Sequence, residues 1–130
     1  MGPQKGEDQI AKDQAMYKLN FANRSISQPI DPKLADPQNY KFLEVEVVNV
    51  INPDKLPVQF EVYYQVENQD KILLGTFSLY PPDNPGKFIV ATQGKIKPEG
   101  ELILSLVLPE KTVAGNQLQI TVKKIEFKKS

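Results

Sequence analysis

Histidine and cysteine are both absent from this chain of 130 residues. Without them, neither a Ser-His nor a Cys-His nucleophile pair can form, and there is no disulfide, thiolate zinc site or histidine-ligated copper, iron or zinc centre. The seven glycines are scattered and make no phosphate-binding loop. Glutamates on the predicted strands alternate with apolar residues and should face solvent, which argues against a hydrolytic carboxylate pair. The sequence therefore predicts a protein that is not an enzyme and holds no metal or cofactor.

An excess of charge of either sign is also missing, since 16 basic residues balance 16 acidic ones. Nucleic-acid-binding proteins carry a basic excess that neutralises phosphates, so nucleic acid is not a predicted partner. No run approaches the ~18 apolar residues of a membrane span. The polar first fifteen residues do not resemble a signal peptide. If Met1-Gly2-Pro3 is a remnant ahead of a mature N-terminus, an exported protein would begin in this way, so we favour a periplasmic or extracellular location, and a cytoplasmic one stays open.

Apolar and polar residues alternate along most of the chain after residue 14, which is the pattern of half-buried strands. Most of the eleven prolines lie in the turns between these runs, where they do not interrupt strand pairing. Strands are predicted over residues 15–22, 40–51, 57–67, 71–80, 87–92, 101–108 and 117–127. We therefore predict a disordered or weakly helical tail over residues 1–14 and a single all-β domain over residues 15–130.

About seven strands of this kind predict an immunoglobulin-like β-sandwich, with a jelly roll or a small barrel as the alternative. The apolar phase slips by one residue after Val47 and again after Val122, and each slip predicts a β-bulge. The irregular segment 23–39 is interpreted as chain crossing the end of the sandwich, and a functional loop is the alternative. The predicted core residues, all in phase, are Leu43, Val45, Phe60, Val62, Tyr64, Leu104, Leu106, Ile120 and Val122.

Two tyrosines are candidates for contact with a ligand or partner. Tyr63, in the stretch VQFEVYYQV, lies on the polar face of its strand, and Tyr80 stands beside Pro81 and Pro82 at a rigid turn. Tyrosine rings beside a loop can stack on a sugar or anchor a protein partner. Tyr63, Tyr80, Pro81 and Pro82 are therefore the predicted binding residues. For Tyr63 two interpretations stay open, namely cross-strand packing on the sheet surface and docking against another domain or a ligand.

Three short motifs resemble a known family. Gln59-Phe60-Glu61-Val62-Tyr63 is similar to the K-F-D-V-[Y/F] strand in the C-terminal domain of plant-type polyphenol oxidases, which are tyrosinase-like type-3 copper enzymes. Gly75-Thr76-Phe77 is similar to the G-S-F strand of that domain, and residues 120–127 match its final pattern V-T-[IV]-x-x-[IV]-x-[IL]. In the first motif, Gln59 and Glu61 stand where the family has lysine and aspartate.

The similarity extends over residues 40–127 and implies a β-sandwich that packs on a copper domain and covers its active-site entrance. The copper ligands of such enzymes are histidines of another domain, so this chain is expected to be a non-catalytic accessory domain whose partner is another domain or protein chain. A different class remains as the alternative, namely a free-standing exported β-sandwich module that binds a carbohydrate or a protein ligand.

Overall fold

The computed structural model describes residues 16–30, 41–97, 99–110 and 117–128. These residues form β1 (Met16–Asn20), β2 (Ser25–Pro29), β3 (Phe42–Ile51), β4 (Gln59–Gln65), β5 (Ile72–Ser78), β6 (Gly86–Ala91), β7 (Glu101–Val107), β8 (Gln119–Lys123) and β9 (Glu126–Lys128). The tail predicted over residues 1–14 lies outside the described residues.

The strands form two antiparallel sheets that pack face to face. Sheet 1 has the order β1-β8-β3-β6, with β9 also paired to β3, and sheet 2 has the order β2-β7-β4-β5. The all-β sandwich predicted from the sequence is therefore confirmed. Side chains of both inner faces meet in one core, which contains all nine residues predicted for it.

The pairing of the strands follows a nested scheme. β1 pairs with β8, β2 with β7, β3 with β6 and β4 with β5, as when one long hairpin is rolled up. The β3–β8 and β4–β7 pairings then join these hairpins into the two sheets. This is the jelly-roll order, the alternative that the sequence left open. It differs from the immunoglobulin order, in which the first two strands are neighbours, because β1 and β2 lie in different sheets.

Both predicted phase slips coincide with irregular pairing in sheet 1. The register of β3 against β8 shifts between Val47 and Asn49. The last predicted strand divides into β8 and β9, and Lys124 and Ile125 lie between them. An extra residue bends a strand and makes the side chains after it point to the opposite face. Ile125 is therefore buried although it is out of phase with Val122.

The segment predicted as irregular over residues 23–39 contains a strand, β2, which the sequence analysis missed. Its residues are polar apart from Ile26 and Pro29, yet Gln28 is buried. The Gln28 side-chain amide donates to the Ile125 carbonyl oxygen at 2.9 Å and accepts from the Ile125 amide nitrogen at 2.9 Å. A polar side chain can thus face the core, because the break between β8 and β9 leaves backbone groups that need partners. Residues 31–39 of the segment lie outside the described part of the chain.

A stack of three aromatic rings connects the two sheets along the β5–β6 side. Phe60 and Phe77, which pair across β4 and β5, have ring centroids 5.0 Å apart, and Phe88 of β6 lies 4.2 Å beyond Phe77. Beside them, a Cβ atom added to Gly75 would come within 2.9 Å of Val90, so the sheets approach closely at this edge. The stack fixes the position of the β4–β5 hairpin. Tyr63 lies on β4 of this hairpin, and Tyr80 follows the end of β5.

Candidate functional site

An apolar row crosses the outer face of sheet 2. Tyr63 of β4 lies opposite Ile103 of β7 on one side and opposite Leu73 of β5 on the other. Residues directly opposite each other in antiparallel strands point to the same face, so the three side chains are neighbours. Leu73 is 45% exposed, and Tyr63 and Ile103 are half-buried. We call Leu73, Tyr63 and Ile103 the outer row.

Tyr63 at the centre of the outer row is held by two charged neighbours. Its hydroxyl donates a hydrogen bond of 2.7 Å to the Glu61 carboxylate, and the Lys71 ammonium lies 4.2 Å from the ring centroid. The hydrogen bond to Glu61 raises the pKa of the Tyr63 hydroxyl above its ordinary value of 10.0, and partial burial and the Glu61 charge act in the same direction. The hydroxyl therefore has its partner within the domain, and the ring supplies the surface that another molecule can contact.

A hollow with three carboxylates adjoins one end of the outer row. Gln65 and Glu101 form the next outward-facing pair along β4 and β7, two residues beyond Tyr63 and Ile103. The hollow has a volume of about 550 Å³ and is lined by Pro29, Gln65, Val66, Glu67, Asn68, Glu99, Gly100 and Glu101. We call it the acidic hollow. It gives this end of the outer face a negative charge.

Gly100 fixes the wall of the acidic hollow. Its φ of +96° is a conformation that side-chain-bearing residues rarely adopt, and an added Cβ atom would lie 2.5 Å from the Gln65 carbonyl oxygen. The Gly100 carbonyl oxygen in turn accepts a hydrogen bond of 3.1 Å from the Ile30 amide. The backbone at this end of sheet 2 is thus closely packed around a residue that has to be glycine.

The second predicted tyrosine, Tyr80, lies at the opposite end of sheet 2. Tyr80 follows the end of β5, where the Leu79 amide donates a hydrogen bond to the Val58 carbonyl oxygen. Tyr63 lies further along the same pair of strands, opposite Leu73. The five steps along the chain from Val58 to Tyr63 span about 16 Å of strand, so the two tyrosines do not form one platform. Tyr80 is 94% exposed, and its peptide bond to Pro81 is cis.

A cleft of about 510 Å³ opens beside Tyr80. It is lined by Lys55, Pro57, Val58, Gln59, Ser78, Leu79, Tyr80, Pro82, Val107, Leu108 and Pro109. We call it the Tyr80 cleft. Of the predicted binding residues, Tyr80 and Pro82 belong to it, while Pro81 is exposed in the turn and its carbonyl oxygen accepts a hydrogen bond of 3.1 Å from the Asn84 amide.

Two contacts hold the loops around the Tyr80 cleft together. The buried side-chain amide of Asn52 donates to the carbonyl oxygens of Leu56 at 3.0 Å and Pro82 at 3.1 Å, and it accepts from the Leu56 amide. Lys55 and Asp83 form an ion pair of 3.6 Å between the same two loops. The sequence analysis did not identify the role of Asn52, because its partner Pro82 is 30 residues away.

Within residues 16–30, 41–97, 99–110 and 117–128, no group of three or more His, Cys, Asp or Glu side chains is placed to hold a metal ion. The described part of the chain also contains no helix long and apolar enough to cross a membrane. No protein-family model and no curated protein matches this chain. The candidate sites are therefore two surface features of sheet 2, namely the outer row with the adjoining acidic hollow, and the Tyr80 cleft.

Proposed function

We propose that this chain is a non-catalytic interaction domain that docks on another protein domain through the outer face of sheet 2. The observation that carries the proposal is the outer row. Strand alternation otherwise places polar residues on this face, such as Gln59, Glu61 and Gln65 of β4. An apolar row with a central tyrosine gains free energy when a partner covers it, and tyrosine is common among the residues that dominate interface energies.

The charge beside the outer row specifies the partner further. Glu67, Glu99 and Glu101 line the acidic hollow, next to the apolar contact. A complementary partner presents an apolar patch flanked by lysine or arginine side chains. Such charge pairs at the rim mainly accelerate association, and they are screened by salt. The affinity should therefore fall as the ionic strength rises.

The resemblance to polyphenol oxidases supports a protein domain as the partner. The strand that is similar to the family motif, residues 59–63, is the one that carries Tyr63. In that family the similar domain packs on the copper domain and covers its entrance, and the histidines that bind copper belong to the copper domain. The alternative, a free-standing exported module that binds a carbohydrate or a protein ligand, depends on the Tyr80 cleft rather than on the outer row.

The test uses the complete chain labelled with nitrogen-15 and the copper domain of a plant-type polyphenol oxidase prepared without its own C-terminal domain. Titration should shift the backbone amide signals of β4, β5 and β7 around the outer row. Tyr63→Ala should weaken binding by at least about 2 kcal/mol, the scale of an interface hot spot. Its unfolding free energy should fall by only about 0.2–1 kcal/mol, because the ring makes cross-strand contacts on the surface.

Ile89→Ala is the matched control, because Ile89 is an apolar residue 58% exposed on β6 of the other sheet. It should bind as tightly as the wild type. A wild-type chain that does not bind the copper domain would rule out the accessory function. A Tyr63→Ala variant that binds as well as the wild type would show that Tyr63 is only part of the surface of the sheet.

A further inference from the structure

We propose that the Tyr80 cleft binds a neutral saccharide, with one sugar ring stacked on the Tyr80 side chain and its hydroxyls bonded by Gln59 and Ser78. This site lies at the other end of sheet 2 from the acidic hollow. It does not depend on docking through the outer row.

The exposure of Tyr80 has no explanation in the packing of the fold. A side chain that is 94% exposed adds almost nothing to the core. The backbone that carries it is nevertheless well fixed, because the Asn52 amide holds the Pro82 carbonyl oxygen and Lys55 is paired with Asp83. An aromatic ring displayed on a fixed loop loses little freedom when a ligand stacks on it, and preorganisation of this kind favours binding.

Polar groups suited to sugar hydroxyls lie beside the ring. Gln59 and Ser78 are directly paired across β4 and β5, and both are exposed at the cleft. Within the described residues, no side-chain hydrogen bond engages either of them. The amide of Gln59 and the hydroxyl of Ser78 can each donate and accept, as the neighbouring hydroxyls of a sugar do.

The remaining lining matches the other side of a sugar ring. Val107, which lies opposite Gln59 on β7, is 37% exposed, and three prolines also line the cleft. The C–H groups on one face of a pyranose pack on such apolar surface and on the electron-rich face of an aromatic ring. A volume of about 510 Å³ accommodates one or two rings rather than a long chain.

Charge favours a neutral sugar over an acidic one. Lys55 is the only charged residue among the described residues that line the cleft. The Asp83 carboxylate lies 3.6 Å from its ammonium group. The cleft therefore offers no unbalanced positive charge to a uronic acid or a sulfated sugar.

The test titrates the nitrogen-15-labelled chain with neutral oligosaccharides of glucose, xylose, mannose and N-acetylglucosamine, with polygalacturonic acid fragments and a proline-rich peptide as comparison ligands. At least one neutral oligosaccharide should shift the amide signals of Gln59, Ser78 and Val107 with a dissociation constant below the millimolar range. Tyr80→Ala should weaken this binding at least about tenfold, whereas Tyr80→Phe should retain most of it.

Ile89→Ala is the control, since Ile89 is exposed on β6 of the other sheet and its loss should leave saccharide affinity unchanged. The melting temperature of Tyr80→Ala should equal that of the wild type, because the side chain is exposed. The proposal fails if no neutral oligosaccharide shifts these amides, if Tyr80→Ala binds as the wild type does, or if only the acidic fragments or the peptide bind. None of these outcomes bears on docking through the outer row, which is tested with Tyr63→Ala and a protein ligand.

Discussion

The buried amide of Gln28 offers the sharpest test of the described packing. It bonds both the amide nitrogen and the carbonyl oxygen of Ile125, and so joins β2 in sheet 2 to the break between β8 and β9 in sheet 1. Gln28→Met keeps a side chain of similar length but removes the donor and the acceptor. Each backbone group left buried without a partner costs about 1–3 kcal/mol. For the two groups we expect a total loss of about 2–6 kcal/mol, a large part of the 5–15 kcal/mol that is typical of a whole domain.

Urea titration followed by circular dichroism measures this loss directly. Gln59→Met is the matched control, because Gln59 is exposed on β4 and no hydrogen bond within the described residues engages its side chain. Its unfolding free energy should stay within about 0.5 kcal/mol of the wild type. A loss below about 1 kcal/mol for Gln28→Met would refute the reasoning, since it would mean that the Ile125 backbone groups find other partners or reach water.

The remaining predictions concern the core, the backbone and one titration. Phe60→Ala should lower the unfolding free energy by about 3–5 kcal/mol because the ring is fully buried, and a loss below about 1 kcal/mol would contradict the facing of β4. Gly100→Ala should destabilise more than Gly94→Ala. Both residues have positive φ, a conformation that costs alanine about 1 kcal/mol. Only at Gly100 does the new Cβ atom also lie against backbone. Equal losses of stability in the two variants would contradict this packing. The pKa of Tyr63, measured by NMR, should fall towards 10.0 in Glu61→Gln. Because folding raises the pKa of Tyr63, its hydrogen bond to Glu61 should stabilise the fold below pH 10. This stabilisation should be lost as the pH rises through the pKa that Tyr63 has in the folded state.

Short-range patterns were enough to predict most of the strands and, for β3, β4, β7 and β8, the side that faces the core. In β4, strict alternation placed Phe60 and Val62 inside, and both are fully buried. The bulge near Val47 was equally visible, because one extra residue changes the phase of every apolar residue after it. These features depend on neighbours in the sequence, which is why a single sequence reveals them.

Features that depend on distant partners were not predicted. The burial of Gln28 makes sense only with Ile125, 97 residues away, so β2 was read as part of an irregular segment. The order of strands is likewise set by long-range pairing, which alternation does not encode. For the candidate site, the sequence identified Tyr63 and Tyr80 but not the distance between them. The structure places them at opposite ends of sheet 2, because β5 runs antiparallel to β4 and its end meets Val58.

Docking through the outer row can be measured by calorimetric titration of the copper domain of a plant-type polyphenol oxidase with the wild-type chain and with Leu73→Asp. The new carboxylate would enter the proposed contact beside Tyr63, which lies at its centre. We expect measurable binding of the wild type, at least about 30-fold weaker binding of Leu73→Asp, and unchanged binding of Ile89→Asp on the opposite sheet. No heat of binding with the wild type, or equal affinities for all three proteins, would contradict docking through the outer row.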